Sequence, residues 1–390
     1  MNTKIKILLL FLMFNSVIFG QEIASIKKYE IQSKELNQKR EFFVYTPAGY
    51  NENPYTYYDV IYVFDAQNRE LFDLTHSLIS FVANDYQNYI VVGITSPYNE
   101  KLNYGRRNDF LPKLTNDKYS PSGKFAGNAT NFLKYIQNEI IPFVDNHYKT
   151  LNNRTVIGHS LGASFVLYSF LNTPDLFNNY IAISPNLAYG NELLVNELYH
   201  FEFAKLTTKK YLYISNANEE TIEDFKDWKP AREKAYAFLK DTLRSDKLHV
   251  EIKEFPDKNH WQSFLPSLEF SLNHFINEIY VKDQISLSKE EYEVTIQVKV
   301  PHKNDDIYIT GNQINLGNWN PQQIKMNKKS DFVRELKIRL QSPAKFKFTR
   351  GNWDSEAIMK NNDSGKDLTI KPKPSGKYTF TIENYLDKLQ

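Results

Sequence analysis

Thr155-Val156-Ile157-Gly158-His159-Ser160-Leu161-Gly162 is the stretch from which the fold is read. An apolar strand, Thr155 to Ile157, runs into the pattern G-x-S-x-G, and a helical run, Leu161 to Leu171, leaves it. The two glycines allow a strained strand-to-helix turn that lifts Ser160 above the sheet. The backbone N–H of Leu161 then points to where an oxyanion would develop. Ser160 is the candidate nucleophile.

The pattern extends outward on both sides. Val60-Ile61-Tyr62-Val63-Phe64 and Ile90-Val91-Val92-Gly93-Ile94 are unbroken apolar runs, as expected of strands buried on both faces of a parallel sheet. Tyr180 to Ile183, Tyr211 to Ile214 and Val250 to Lys253 continue the series. Helical spacing covers Ala129 to Val144, Leu161 to Leu171, Pro230 to Leu243 and Ser263 to Ile279. Residues 22–46 alternate as an opening antiparallel hairpin. Strands alternating with helices predict an α/β sheet with helices on both faces over residues 22–280. Near residue 285 the period changes to two. Glu293 to Val300, Asp306 to Ile309, Val333 to Leu340, Lys345 to Phe348 and Tyr378 to Ile382 predict an all-β sandwich over residues 285–390.

Composition narrows the chemistry. The 390 residues carry 48 basic and 46 acidic side chains, a net charge of +2, which argues against a nucleic-acid partner. Without cysteine there is no disulfide, thiolate metal site or cysteine nucleophile. No H-E-x-x-H, calcium loop or phosphate loop occurs, so neither metal nor cofactor is expected. Lys4 and Lys6 precede the apolar run Ile7 to Phe14, and Gly20-Gln21 follows, which reads as a secretory leader over residues 1–20. The run is short for a membrane span. The expectation is a mature chain, exported to the periplasm or the exterior, with no span. Removing residues 1–20 takes away two lysines and no acid and leaves that chain neutral. The polar segment Lys101 to Lys124, with Arg106-Arg107, reads as a solvated loop.

A serine nucleophile needs a base within reach. Among the histidines downstream (200, 249, 260, 274, 302), His260 stands in Pro256-Asp257-Lys258-Asn259-His260-Trp261, a loop between strand and helix at the sheet's top. His249 and His274 read as packing or surface residues. The supporting acid is sought after the strand Tyr211 to Ile214. Glu219 comes first, and Glu220 and Asp224 stay open.

Residues 25–280 resemble the α/β-hydrolase branch of esterase D, feruloyl and acetyl-xylan esterases and enterobactin-type siderophore esterases. Asp59 to Asn68, Val92-Gly93-Ile94, Arg106 to Pro112, Glu139 to Asp145, the serine turn and His260 carry the likeness. It implies a triad of Ser160, Glu219 and His260, an acyl-enzyme and an ester substrate. It also implies a second oxyanion amide at Ala66 or Gln67, with Ala66 standing where relatives usually have glycine. The C-terminal region resembles starch-binding carbohydrate-binding modules of family twenty through Ile307 to Gly311, Leu316 to Pro321 and Lys345 to Phe348. That likeness implies sugar stacking on Trp319 and Trp353, with Lys347 on a hydroxyl, and an α-glucan or other polysaccharide as partner. The expected function is a secreted serine esterase acting on acylated carbohydrate. The alternatives are a siderophore-lactone esterase and a non-catalytic glycan-binding protein on a hydrolase scaffold.

Overall fold

The computed structural model describes residues 23–51, 54, 56–83, 89–114, 127–220, 222, 225–240, 245–280, 287–360 and 367–388. The leader over residues 1–20 and Asp224 lie outside the described residues. Strands β1 (Ser25–Ser33), β2 (Gln38–Thr46), β3 (Tyr58–Phe64), β4 (Tyr89–Ile94), β5 (Thr150–His159), β6 (Asn179–Ile183), β7 (Lys210–Ala217) and β8 (Leu248–Phe255) form one sheet. Its order is β1-β2-β4-β3-β5-β6-β7-β8. The β1–β2 hairpin and the β2–β4 pair are antiparallel, and the rest of the sheet is parallel.

The unbroken apolar runs follow from burial on both faces. Along β3, Val60, Tyr62 and Phe64 enter one core, while Ile61 and Val63 enter the other. Strand side chains alternate faces, so both sets must be apolar. Helices Arg69–Val82 and Phe264–His274 cover the second core, and Leu161–Asn172 and Trp228–Lys240 lie on the first. The expected α/β class is therefore observed. Arg69–Val82 is absent from the sequence reading. Its buried positions Leu71, Phe72, Thr75 and Ile79 follow helical spacing, but Thr75 breaks the apolar stripe.

The serine turn needs its glycines. A Cβ on Gly158 would stand 2.3 Å from the carbonyl oxygen of Gly162. Helix Leu161–Asn172, buried from Gly162 to Phe170, can therefore press against its own feeding strand.

Beyond residue 290 two further sheets share one core. β9 (Glu291–Lys299), β10 (Tyr308–Gly311), β11 (Ile324–Lys325), β12 (Asn327–Ser330), β13 (Val333–Gln341), β14 (Ala344–Thr349), β15 (Ala357–Met359), β16 (Leu368–Ile370) and β17 (Lys377–Tyr385) pair as β11-β10-β14-β16 and β12-β13-β9-β17-β15. Val294, Ile296 and Val298 of β9 meet Phe346 and Phe348 of β14 between them. Period-two alternation on a half-buried sheet accounts for the change of texture.

Candidate active site

Every group of the site follows the C-terminal end of a parallel strand, the edge where such sheets hold their ligands. Ser160 ends β5 with φ 60° and ψ −122°, a left-handed conformation unusual for serine. Its N–H donates to Ile183 O on β6 at 2.9 Å, and its side chain is almost wholly buried. The elbow expected from Gly158 and Gly162 is thus formed.

Glu219 lies just past β7 and His260 five residues past β8. His260 Nδ1 donates to Glu219 Oε1 at 3.4 Å, and both side chains are buried. This leaves His260 Nε2 with a lone pair. Nε2 is buried without a hydrogen-bond partner, so the Ser160 hydroxyl does not bond to it here. Catalytic hydrogen bonds are often long before substrate arrives. Of the other acids considered, Glu220 is half exposed and pairs with Lys229 at 2.8 Å, away from His260.

The Glu219 carboxylate has three further donors. Ala217 N–H donates to Oε1 at 3.1 Å, Arg232 Nη1 donates to Oε2 at 2.9 Å, and the Ser184 hydroxyl also donates. Burial alone would raise its pKa. The bonds from His260, Ser184 and Ala217 and the Arg232 charge outweigh that, and the pKa sits below the ordinary carboxylate value. Glu219 stays ionised. Phe225 and Trp228, stacked on each other at 4.2 Å, set their edges against His260 at 5.1 and 5.4 Å.

His159, which precedes Ser160, holds the backbone of His260. Its Nε2 donates to the backbone carbonyl of His260 at 2.9 Å, and that carbonyl also accepts from Ser263 Oγ at 2.9 Å. Burial foremost, and the neighbouring His260, push the His159 pKa down to about 3. His159 is neutral at working pH and acts as a hydrogen-bond strut.

The loop after β3 carries the two amides expected of the oxyanion hole. The Ala66 N–H donates to Ile94 O on β4 at 3.1 Å and is engaged within the sheet. The Gln67 amide is the next along the loop. Asp65, at φ 61°, fixes the loop. It takes a bidentate pair from Arg106 (Nε at 2.9 Å, Nη2 at 2.6 Å) and a bond from Gln67 Nε2 at 2.8 Å. Gln67 Oε1 in turn accepts from Ser96 N at 2.8 Å. Arg106 therefore belongs to the site's frame, contrary to the solvated reading of its segment. Residues 115–126 of that segment lie outside the described residues. Sequence reading missed Asp65, His159, Ser184, Arg106 and Arg232 as supports. Asp65 and Arg106 lie inside the stretches that carried the resemblance.

Two cavities lie beside the loops that carry Gln67 and His260. One, of about 330 Å³, is lined by Gln67, Asn68, Tyr98, Arg106 and Arg107. The other, of about 600 Å³, is largely apolar and bounded by Leu74, Trp261, Leu265 and Pro266.

In the β-rich region Trp319 is only half buried and stands outside the apolar core, and Trp353 is 41% exposed. Lys347 Nζ already donates to Glu356 Oε1 at 2.7 Å. No helix among the described residues is long and apolar enough to cross a membrane.

Known proteins resemble this chain over part of its length. Ferri-bacillibactin esterase BesA of Bacillus subtilis is 27% identical over 176 residues, 42% of this chain and 60% of the relative. The siderophore enterobactin esterase of Emericella nidulans is 27% identical over 124 residues, 29% and 40% of the two chains. The chain thus spans less than two thirds of the length of these curated relatives. Among solved structures, an IroE-like serine hydrolase from Shewanella oneidensis aligns with a TM-score of 0.57 at 22% identity, over 65% of this chain and 80% of that one. The siderophore hydrolase EstA from Aspergillus nidulans aligns with a TM-score of 0.53 at 18% identity, over 65% and 94%. These two likenesses speak for the fold. Residues 291–378 match the model of the starch binding domain. Residues 33–268, more than half of the chain, match the model described as "Putative esterase", and the chain belongs to that family of ester hydrolases.

Proposed function

We propose that this esterase works through a serine acyl-enzyme. The bonded Glu219–His260 pair, on the strand edge that carries the strained Ser160, supports this most directly. Ser160 Oγ attacks the ester carbonyl and its proton passes to His260 Nε2. The carbonyl electrons move onto oxygen, held by the N–H groups of Leu161 and Gln67. Collapse breaks the C–O bond, and His260 returns the proton to the departing alcohol. Water repeats the sequence on the acyl-enzyme. Glu219 keeps the imidazole in the tautomer that leaves Nε2 basic.

For the substrate we favour siderophore-type esters, the compounds named for the curated relatives. The cavity beside Gln67 would receive the acyl group, because it adjoins the loop that carries the proposed oxyanion amide. Acylated carbohydrate is the second reading, favoured by the starch-binding match, the half-buried Trp319 and the exposed Trp353. Trp319 and Trp353 would stack on sugar faces, with Lys347 beside them on a hydroxyl. Export, resting on the leader-like residues 1–20, is part of the proposal.

An ester panel (p-nitrophenyl acetate, an enterobactin-type lactone, feruloyl and acetyl glycans) tests both readings. Preference for the lactone by at least tenfold in kcat/KM supports the first reading, and preference for an acylated glycan replaces it with the second. Fluorophosphonate labelling that persists in Ser160→Ala would remove that serine from the mechanism.

A further inference from the structure

We propose that His249, Glu251 and His274 form a binding site for a zinc-like divalent cation, against the sequence reading of these histidines as packing or surface residues. His249 and Glu251 are two apart on β8, so they project from the same face of that edge strand. His274 ends the helix Phe264–His274, which packs on that side of the sheet. Each residue offers one ligand atom, and these atoms all lie within 4.8 Å of one another. Tetrahedral zinc with bonds of about 2.0–2.2 Å sets its ligands roughly 3.3–3.5 Å apart. His274 Nε2 and Glu251 Oε2 are already at 3.7 Å, so side-chain adjustments of about 1 Å would close the set.

A second observation points the same way. His274 Nε2 is buried without a hydrogen-bond partner, and the Glu251 oxygen is too far away to serve as one. A buried polar nitrogen left so loses free energy that a ligand would return. The ring is held for that purpose, stacked on Phe270 at 5.8 Å and 13° and bordered by Tyr211 at 6.2 Å. Lys253, next on the same strand face, lays its ammonium over the Phe270 ring. Two imidazoles and one carboxylate suit zinc, whereas calcium and magnesium prefer all-oxygen sets. The fourth position would be taken by water, because His249 is exposed.

The site stands apart from the chemistry. It is at the far end of an 11-residue helix, about 16 Å long, whose near end follows His260. Its role is to clamp the edge strand to the helix that carries the base's loop.

The test uses tag-free full-length protein, dialysed against EDTA and titrated with zinc chloride by calorimetry, with magnesium and calcium chlorides as controls. One zinc per chain is expected, with a rise in melting temperature and no response to magnesium or calcium. His249→Asn, at an exposed position, and Glu251→Gln should each weaken binding by roughly a hundredfold while retaining the wild-type circular dichroism. Absence of a one-to-one zinc isotherm, or wild-type affinity in either variant, overturns the proposal.

Discussion

Replacement of His159 by Gln tests the reading of that residue as a neutral strut. Its pKa falls from the ordinary 6.5 to about 3 in the folded chain, mainly because it is buried. Between those values the unfolded chain binds the extra proton and the folded chain does not. Stability therefore falls as pH drops below 6.5, by about 1.4 kcal/mol per pH unit. From pH 7 to pH 4 this single residue accounts for about 3 kcal/mol. Gln keeps an N–H donor for the His260 carbonyl but does not titrate. Its loss of ring contact with Trp261 and Phe264, at 5.2 and 5.7 Å, costs about 1–2 kcal/mol at every pH. Guanidinium unfolding would be followed by fluorescence in a background of Trp319→Phe and Trp353→Phe, where Trp228 and Trp261 report the esterase region alone. At pH 7 the wild type should be the more stable. By pH 4 the difference should shrink by about 3 kcal/mol and change sign. A gap that stays constant within about 0.5 kcal/mol would refute the neutral-strut argument. A charge at His159 would also stand 4.6 Å from the His260 ring, opposing the imidazolium formed during catalysis.

Other consequences follow from the same contacts. Glu219→Gln should lower kcat by roughly 10³-fold, and Glu220→Gln by less than about twofold, because Glu219 bonds to His260 whereas Glu220 pairs with Lys229. Arg106→Met, which frees Asp65 and with it the Gln67 loop, should lower kcat about 10–100-fold with little change in KM, read in steady-state kinetics. Arg40→Met would leave Asp109 buried and uncompensated after loss of its bidentate partner at 2.7 and 2.9 Å. Denaturant unfolding should show a loss of about 3–5 kcal/mol, partly recovered in Arg40→Met/Asp109→Leu.

How much of this was legible depends on how local each signal is. The Ser160 elbow reads directly because its glycines and flanking runs are contiguous. His260 and Glu219 read from their places after strands, since a parallel sheet brings successive strand ends to one edge. Ala66 against Gln67 could not be decided, because the answer depends on which amide meets Ile94 O on a neighbouring strand. The Asp65–Arg106 pair spans 41 residues, and nothing in either neighbourhood announces the other. Arg232 looks like any exposed helix cation until the fold turns it towards Glu219. The helix Arg69–Val82 was lost to a threonine in its apolar stripe, a position that burial against the sheet tolerates through its bond to Leu71 O.

The backbone at Ser160 also has an evolutionary price tag. Holding a residue with a Cβ at φ 60°, ψ −122° stores about 1–3 kcal/mol, which Ser160→Gly would release. Glycine gives back about 0.5–1 kcal/mol of that through the freedom it gains when unfolded. The inactive chain should therefore fold at least as stably as the active one. Drift without selection would erode Ser160 towards glycine with no penalty in folding, so the proposed role as nucleophile is what would hold serine in this turn.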